Sequence, residues 1–306
     1  MIRLGTRASA LAVAQATAVA EWLRRRGTEV ELVPMRTEGD RLLDARLGDR
    51  GGKGLFVREI EEALGDGRID LAVHSLKDLP AEQPAGLELA VFPEREDARD
   101  VLVTREGGGL GGLRPGAMVG TSSLRRRAVL LSLRDDLAIE PIRGNVETRL
   151  RKLLDGMCDA VIVAAAGLRR LGLRPDHAEA LAPEVFVPAV GQGILAVEVR
   201  HDDARVRALV IPLDHRATRV AALAERAYLR RLGASCNTPM AAHAVVAGAR
   251  VSMAAVVASE DGRRILRAEA AGGLEDAERL GRGLAESLLA QGAAAVTALD
   301  PGRWAS

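Results

Sequence analysis

Cysteine and aromatic side chains are scarce in this chain of 306 residues. Its two cysteines, Cys158 and Cys236, form no C-x-x-C pair, which argues against structural disulfides and a zinc site and favours a reducing compartment. Three Phe, two Trp and one Tyr are too few rings for a base-stacking platform, so no nucleic acid partner is expected. The five histidines are scattered without the spacing of metal ligands, so no metal is expected.

An excess of charge of one sign and long hydrophobic runs are also lacking. The 43 basic and 42 acidic residues leave a net charge of +1, so any electropositive site must come from local clustering. An Ala-rich stretch from Ala8 to Ala20 follows Arg3 and Arg7, but Gln15 and Thr17 interrupt it, and its apolar spacing is typical of a helix packed on a sheet. No run reaches membrane-spanning length. We therefore expect a cytoplasmic enzyme or binding protein without membrane contact.

Short apolar runs alternate with helical patterns in the first half of the chain. The runs Ile2 to Gly5, Val30 to Pro34 and Leu71 to Val73 predict strands of a mixed sheet with helices on both faces. The Gly-rich residues 107–112 interrupt this pattern, and a new strand is predicted at 117–119. The sequence therefore predicts an α/β fold, with a second unit that begins near residue 98.

The two units echo each other weakly. A predicted strand leads into Gly5-Thr6-Arg7-Ala8-Ser9 in one unit and into Gly120-Thr121-Ser122-Ser123 in the other. Residues 67–73 and 156–162 each combine a turn with a buried strand. Two related lobes facing a cleft would explain the echo, and coincidence between short strand-turn-helix pieces is the alternative.

The region from about residue 216 has a different pattern. A helix is predicted from Arg219 to Arg231, and a hairpin turn at Glu260-Asp261-Gly262. Together the predicted elements form a small antiparallel α+β module. Its other elements are alternating runs from Ala244 to Val257 and Arg264 to Ala271, a helix from about Leu274 to Gln291, and a strand near Ala294 to Leu299.

Arginines accompany small polar residues at three predicted helix starts. The segments are Thr121 to Arg127, Arg143 to Arg149 with Asn145 as the cap, and Arg7 with Ser9. Free backbone N–H groups and the helix dipole attract anions at such starts. Three of them favour a ligand with several carboxylates or phosphates, whereas ordinary capped surface helices are the alternative.

Three further segments could carry chemistry. Asp78 follows a buried strand in His74-Ser75-Leu76-Lys77-Asp78, where it could stabilise a developing cation or cap a turn. Cys236 lies in a loop of small residues, as an exposed thiol or as a small hydrophobic side chain. The segment from Glu38 to Lys53 is charged and Gly-rich, which is typical of a mobile cover or of a solvated loop without function.

Read in order, these segments resemble the porphobilinogen deaminase family along nearly the whole chain. The segments that carry the resemblance are T-R-A-S at 6–9, G-G-K-G-L-F at 51–56, V-H-S-L-K-D-L-P at 73–80, G-T-S-S-L-R-R at 120–126, R-G-N-V-E-T-R-L-R-K-L at 143–153, A-G-L-R-R-L-G at 166–172 and P-A-V-G-Q-G at 188–193. The resemblance implies two lobes like periplasmic solute-binding proteins, with mixed sheets around a cleft, and a small C-terminal α+β domain with a three-stranded antiparallel sheet. It also implies the boundaries, which are 1–93 with 194–211 for the first lobe, 98–189 for the second and 216–306 for the C-terminal domain.

The resemblance implies a transferase that joins four porphobilinogen molecules head to tail on a dipyrromethane cofactor, with loss of ammonia, and releases hydroxymethylbilane by hydrolysis. Asp78 would be the catalytic residue, and Cys236 would hold the cofactor through a thioether. Further cofactor contacts are implied for Ser75, Lys77, Thr121, Ser123, Arg125, Arg126 and Gly144. Substrate contacts are implied for Arg7, Ser9, Lys53, Phe56, Arg143, Arg149, Arg170 and Gln192. A monomer is expected, with a transient contact with uroporphyrinogen III synthase.

Three segments depart from the pattern of the family. A Lys often seen shortly before G-G-K-G is replaced by Arg50 or lies outside simple alignment. Ala234-Ser235-Cys236-Asn237-Thr238-Pro239 stands where Gly-Gly-Cys-Gln-Val-Pro is common, and Arg7-Ala8-Ser9-Ala10 replaces R-Q-S-P. A two-lobed receptor for a polyanion is one rival interpretation, for which a bare cleft would suffice. A cysteine-dependent transferase that binds phosphorylated substrates at the same helix starts is the other.

Overall fold

The computed structural model describes residues 1–37, 57–233 and 238–297. The chain divides into two units, each assembled from two separate stretches of sequence. The first combines Met1–Glu96 with Ile194–Arg219, and the second combines Asp97–Gly193 with Val220–Ser306. The division into three domains stays a prediction. Among the described helices, none has both the length and the apolar character that crossing a lipid bilayer requires.

Strands and helices alternate along much of the described chain. The strands are β1 (Ile2–Arg7), β2 (Val30–Met35), β3 (Leu71–Ser75), β4 (Leu87–Val91), β5 (Asp100–Thr104), β6 (Met118–Gly120), β7 (Ala138–Glu140), β8 (Ala160–Ala164), β9 (Ala178–Ala180), β10 (Leu195–Arg200), β11 (Met240–Ala247), β12 (Arg250–Ala258) and β13 (Ile265–Gly273). The helices are α1 (Ala10–Arg24), α2 (Arg58–Gly65), α3 (Gly109–Gly112), α4 (Leu124–Leu133), α5 (Val146–Leu154), α6 (Ala165–Arg170), α7 (Ala204–Val210), α8 (Arg216–Leu232), α9 (Ala277–Ala290) and α10 (Ala293–Val296). Short 3-10 turns span Leu76–Asp78, Ile211–Leu213 and Leu274–Asp276.

The first unit is built on a five-stranded mixed sheet in the order β2-β1-β3-β10-β4. Strand β1 pairs in parallel with β2 and β3, whereas β10 runs antiparallel to both β3 and β4. Successive side chains of a strand point to opposite faces, so Leu71 and Val73 join the core with α1, and Ala72 joins the core with α2. Helices therefore cover both faces, as the apolar runs predicted.

The second unit contains a mixed sheet of the same design, in the order β7-β6-β8-β5-β9. Strand β6 pairs in parallel with β7 and β8, and β5 runs antiparallel to β8 and β9. Gly5 lies opposite Ala72 in one sheet and Gly120 lies opposite Val161 in the other. The echoing phrases therefore occupy corresponding strands and registers, which favours related lobes over coincidence.

The remaining part of the second unit is a three-stranded antiparallel sheet, β11-β12-β13, covered by helices α8 and α9. The hairpin turn predicted at 260–262 is confirmed between β12 and β13. The single run predicted from Ala244 to Val257 is wrong, because Gly248 takes a φ of +59° and turns the chain between β11 and β12. The strand predicted near Ala294 to Leu299 is wrong over its described part, where α10 forms instead. The fold class itself is confirmed: two mixed sheets and one small antiparallel sheet.

Helices α8 and α9 are in close backbone contact at Gly281. A Cβ placed on Gly281 would collide with the carbonyl oxygen of Ala224 in α8, whereas one on Gly283 would have no atom within 4 Å. We expect Gly281→Ala to lower the free energy of unfolding by about 1–3 kcal/mol, because overpacking forces the backbones apart. The matched Gly283→Ala should raise it by about 0.5–1 kcal/mol through helix propensity. Urea denaturation of both variants measures the difference, and equal effects would contradict this account of the packing.

Candidate functional site

In the first unit, polar side chains gather where β1 and β3 end. Ser9 caps α1 and accepts a hydrogen bond from the Ala12 N–H at 3.4 Å. Arg7 Nη1 lies 3.9 Å from Asp78 Oδ2, and the Asp78 side chain remains 39% exposed. The structure thus brings together Arg7, Ser9 and Asp78, which the sequence nominated from two segments far apart along the chain. The Asp78 carboxylate is both accessible and next to a cation.

The turn that carries Asp78 is fixed from two sides. Ser75 exchanges hydrogen bonds with the buried amide of Gln15, at 2.9 Å to its Nε2 and 3.1 Å to its Oε1. The Leu76 N–H donates to the Ile194 carbonyl at 2.9 Å. Lys77 follows within the 3-10 turn and is half-buried. Gln15 is a residue that the sequence flagged only as an interruption of an apolar run, although such an interruption is itself the signal of a buried polar contact.

Three ionisable groups lie behind this turn, on the α2 face of the sheet. His74 Nε2 is 3.1 Å from Glu198 Oε2, and both side chains are buried. Burial, with repulsion from Glu198, raises the pKa of Glu61 in α2 to about 7. Glu198 was not among the residues predicted from the sequence, although it stands alone as a charged residue in the run Leu195 to Val199. This cluster places ionisable side chains inside the unit.

In the second unit, two arginines of α4 share one carboxylate. Ser123 caps this helix, and Thr121 Oγ1 accepts from the Ser123 N–H at 3.2 Å. Arg125 Nη2 and Arg126 Nη2 each lie 2.7 Å from an oxygen of Asp100. Burial alone would raise the pKa of Asp100, but the two guanidinium charges and their hydrogen bonds bring it down to about 2. The guanidinium pair therefore carries one more charge than the carboxylate it shares.

Helix α5 begins with the second arrangement that the sequence predicted. Asn145 caps it by accepting from the Thr148 N–H at 2.9 Å, and the preceding Gly144 has a φ of +112°. Arg149 Nε donates to the Gly144 carbonyl at 2.9 Å. Burial, followed by repulsion from Arg126, lowers the pKa of Arg149 to about 10. Arg149 thus belongs to the same cationic cluster as Arg126. Arg143, just before the helix, is half-buried.

The two remaining predicted contacts of this unit point inward. Gln192 is 1% exposed and donates from Nε2 to the Ala98 carbonyl at 2.7 Å and to Asp100 Oδ1 at 3.1 Å. Arg170 Nη2 donates to the Gly193 carbonyl at 2.7 Å. Gln192 therefore contacts Asp100, which was not predicted from the sequence. A charged residue at the start of the apolar run Val101 to Val103 was the feature that could have indicated it.

Three predicted residues, Lys53, Phe56 and Cys236, lie outside the described residues, as does the predicted cover from Glu38 to Lys53. The other candidates lie among the described residues and divide between the two units. Those in the first unit are Arg7, Ser9, Ser75, Lys77 and Asp78. Those in the second unit are Thr121, Ser123, Arg125, Arg126, Arg143, Gly144, Arg149, Arg170 and Gln192.

Buried guanidinium groups at capped helix starts suit carboxylates or phosphates, because they offer fixed, charge-assisted donors. An accessible carboxylate at a strand end can stabilise a cation that forms during a reaction. The chemistry is that of an enzyme acting on a small molecule with several negative charges. Sequence models of one family cover most of the chain: "Porphobilinogen deaminase, dipyromethane cofactor binding domain" matches residues 2–208, and "Porphobilinogen deaminase, C-terminal domain" matches residues 219–290. The chain belongs to the porphobilinogen deaminase family.

Individual relatives agree with this assignment. Porphobilinogen deaminase of Syntrophotalea carbinolica is 50% identical over 298 residues, which cover 95% of this chain and 93% of the relative. That of Syntrophobacter fumaroxidans is 48% identical over 295 residues, or 96% of both chains. Among solved structures, a periplasmic substrate-binding protein of an ABC transporter from Coxiella burnetii aligns with a TM-score of 0.43 and 20% identity, over 70% of this chain and 92% of that one.

The residues of the second unit fit the cofactor of this family. Dipyrromethane carries acetate and propionate side chains, and the buried Arg125 and Arg126, with the half-buried Arg149, offer positive charge to carboxylates. The lowered pKa of Arg149 reflects burial and a neighbouring cation, so a bound anion would stabilise that charge. Of the cofactor's predicted contacts, Arg125, Arg126, Thr121, Ser123 and Gly144 lie in this unit.

Proposed function

We propose that this chain converts four molecules of porphobilinogen into the linear tetrapyrrole hydroxymethylbilane, and that Asp78 is its catalytic residue. The observation that carries the proposal is the accessible Asp78 carboxylate beside Arg7 at the end of β3. A carboxylate there can accept hydrogen bonds from pyrrole N–H groups, while Arg7 binds a carboxylate of the same substrate.

The reaction begins with the loss of ammonia from the substrate. The bond between the methylene carbon and the protonated nitrogen breaks, the electron pair leaves with ammonia, and the pyrrole ring takes up positive charge. Asp78 stabilises this charge through its carboxylate. When a ring carbon of the acceptor attacks the methylene carbon, the ring carbon gives up its proton, and we propose that Asp78 receives it.

The arginines and helix starts hold the negative charges of the ligands. Arg143, Arg149 and Arg170 are proposed to bind substrate carboxylates with Arg7, Ser9 and Lys53, and Phe56 is proposed to contact the substrate, as the resemblance implies. Ser75, Lys77, Thr121, Ser123, Arg125, Arg126 and Gly144 are proposed to hold the cofactor, which Cys236 binds through a thioether. When bound, the cofactor supplies the pyrrole carbon to which the first substrate is joined. Guanidinium groups suit carboxylate binding better than lysine ammonium groups do, because each guanidinium can bind a carboxylate through two parallel hydrogen bonds.

The stoichiometry of the products tests the overall reaction. Purified protein incubated with porphobilinogen should release four molecules of ammonia for each tetrapyrrole, measured by an ammonia assay and by absorbance after oxidation to porphyrin. A two-lobed receptor would bind the substrate and release no ammonia. Binding without ammonia release would contradict the proposed function.

Arg149 offers a sharper test of substrate binding. Removing one charge-assisted hydrogen bond costs about 1.5–3 kcal/mol, so Arg149→Gln should raise the KM for porphobilinogen by about 10- to 100-fold. Arg151→Gln is the matched control, because Arg151 lies on the same helix and is exposed. Steady-state kinetics of both variants measure the effect. An unchanged KM in Arg149→Gln would remove this residue from the binding site.

We also propose that the protein works in the cytoplasm as a monomer. The described cysteine, Cys158, is a buried free thiol, which suits a reducing compartment. Transient contact with uroporphyrinogen III synthase, which would receive the unstable linear product, is part of the same proposal.

A further inference from the structure

Asp100 is a fully buried carboxylate to which no role in the reaction has been given. It opens β5, has no exposed surface, and lies within hydrogen-bond distance of two guanidiniums and one amide. Burying a charge is expensive unless it is paired and hydrogen-bonded. Arg126 and Gln192 donate hydrogen bonds to its Oδ1, and Arg125 forms an ion pair with its Oδ2. These residues come from a helix and a loop that are distant from β5 in sequence.

Each guanidinium is held at two points, and Asp100 is one of them in both cases. Arg125 donates from Nη1 to the Val187 carbonyl at 2.9 Å, and its Nη2 faces Asp100 Oδ2. Arg126 donates from Nη1 to the Ile162 carbonyl at 2.9 Å and from Nε and Nη2 to Asp100 Oδ1. Contacts at two points fix the orientation of a planar guanidinium, which has five N–H donors. The N–H groups that make no contact with Asp100 or a carbonyl therefore have fixed directions.

The charge of the cluster is also set by Asp100. Two guanidiniums without a counterion would be costly to bury, and two fully neutralised ones would bind a carboxylate weakly. One carboxylate shared by two guanidiniums leaves an excess of one positive charge, and Arg149 lies close enough to Arg126 for its pKa to respond. The result is a buried cation pair that tolerates burial and still attracts an anion.

We propose that Asp100 is a positioning residue, held by Gln192, that aims Arg125 and Arg126 at ligand carboxylates and neutralises half of their charge. The inference rests on the proposed function, in which these arginines bind the cofactor. It also gives Gln192 another role than the substrate contact that the family resemblance implied. Gln192 acts through Asp100, because its amide donates to Asp100 Oδ1 and to the Ala98 carbonyl.

The test is Asp100→Asn in the enzyme as purified with its cofactor. An amide turns an N–H₂ group toward one of the guanidiniums, which then loses its acceptor. We expect a reduced fraction of protein carrying the mass of dipyrromethane, and in the loaded fraction a KM for porphobilinogen raised by about 10- to 100-fold with a smaller change in kcat. Asp100→Glu keeps the charge and should recover part of the loss.

Asp97→Asn is the matched control. Asp97 is three residues away and pairs with Arg99 at 2.7 Å and with Arg169 at 2.9 Å, so the control also loses ion pairs but leaves Arg125 and Arg126 intact. Its cofactor content and KM should stay within about twofold of wild type, because partly exposed pairs contribute little. Melting temperatures of all variants show whether a change in cofactor content or KM comes from lost stability or from a changed orientation of Arg125 and Arg126.

Two outcomes decide the proposal. Cofactor content and KM in Asp100→Asn that match those of Asp97→Asn would overturn it. If Asp100→Asn does not fold, Gln192→Met keeps the Asp100 carboxylate but removes the amide that donates to it and to the Ala98 carbonyl. It should shift KM in the same direction, and an unchanged KM there would equally overturn the proposal. Arg125→Met separates the two levels of inference. Normal binding in that variant contradicts the proposed anion site, whereas impaired binding there with normal Asp100→Asn contradicts only the positioning role.

Discussion

Replacing Asp78 with alanine is expected to lower kcat by about 10²- to 10⁴-fold, the range for loss of an electrostatic stabiliser that also receives a proton. The reason is that the positive charge developing on the substrate loses the carboxylate that stabilises it. The cofactor should be largely retained, because its carboxylates are proposed to bind mainly in the second unit. Single-turnover kinetics with porphobilinogen, together with intact mass, measure both quantities.

The control for Asp78 is Asp66→Ala in the same unit. Asp66 is an exposed carboxylate paired with Arg68 at 3.3 Å, so its loss should leave kcat within about twofold of wild type, as is usual for surface pairs. A rate for Asp78→Ala close to that of the control would refute the catalytic role of Asp78. Lost cofactor in Asp78→Ala would instead show that Asp78 acts in cofactor binding.

The second large effect is expected at Cys236. Cys236→Ser should abolish the added mass of dipyrromethane on the denatured protein and, with it, the formation of tetrapyrrole, because a hydroxyl is a far weaker nucleophile than a thiolate. Denatured intact mass and peptide mapping around residue 236 measure the modification directly. An unmodified wild-type protein that still makes tetrapyrrole would contradict the proposal that Cys236 binds the cofactor.

Cys158→Ala is the matched control for the thiol. Cys158 is buried in an apolar cluster of the second unit, and burial raises its pKa, so it should carry no modification. The variant should keep the full added mass and normal turnover, with a modest loss of stability from the small cavity. Modification that follows Cys158 rather than Cys236 would reverse the assignment.

Local features of the fold could be predicted from the sequence because they depend on neighbouring residues. The cap at Asn145, the helix starts at Ser9 and in the segment from Thr121, and the hairpin at 260–262 are confirmed. The pairing of β10 with β3 and β4 joins segments that lie far apart in the sequence, and no local period encodes it. The extra turn at Gly248 could not be located either, because alternation continues on both sides of it.

The candidate site shows the same division. Arginines at helix starts were visible in the sequence, and the structure places Arg126 and Arg149 in one cluster. The sequence could not show that Arg125 and Arg126 share Asp100. Asp100 lies on strand β5, and no local pattern in the sequence reveals the antiparallel pairing of β5 with β8. A lone charged or polar residue in an apolar run, as with Asp100, Glu198 and Gln15, was the sign that a buried partner exists, although it does not say which.

The position of β10 in the first sheet also bears on synthesis at the ribosome. Strand β10 lies between β3 and β4, yet about a hundred residues, including the whole second mixed sheet, are translated between β4 and β10. At about 5–20 residues per second, that interval lasts about 5–20 s. Throughout it, β3 and β4 present unpaired edges of the kind that recruit foreign strands. The nascent amino-terminal lobe therefore completes its sheet only after the whole second mixed sheet has been translated.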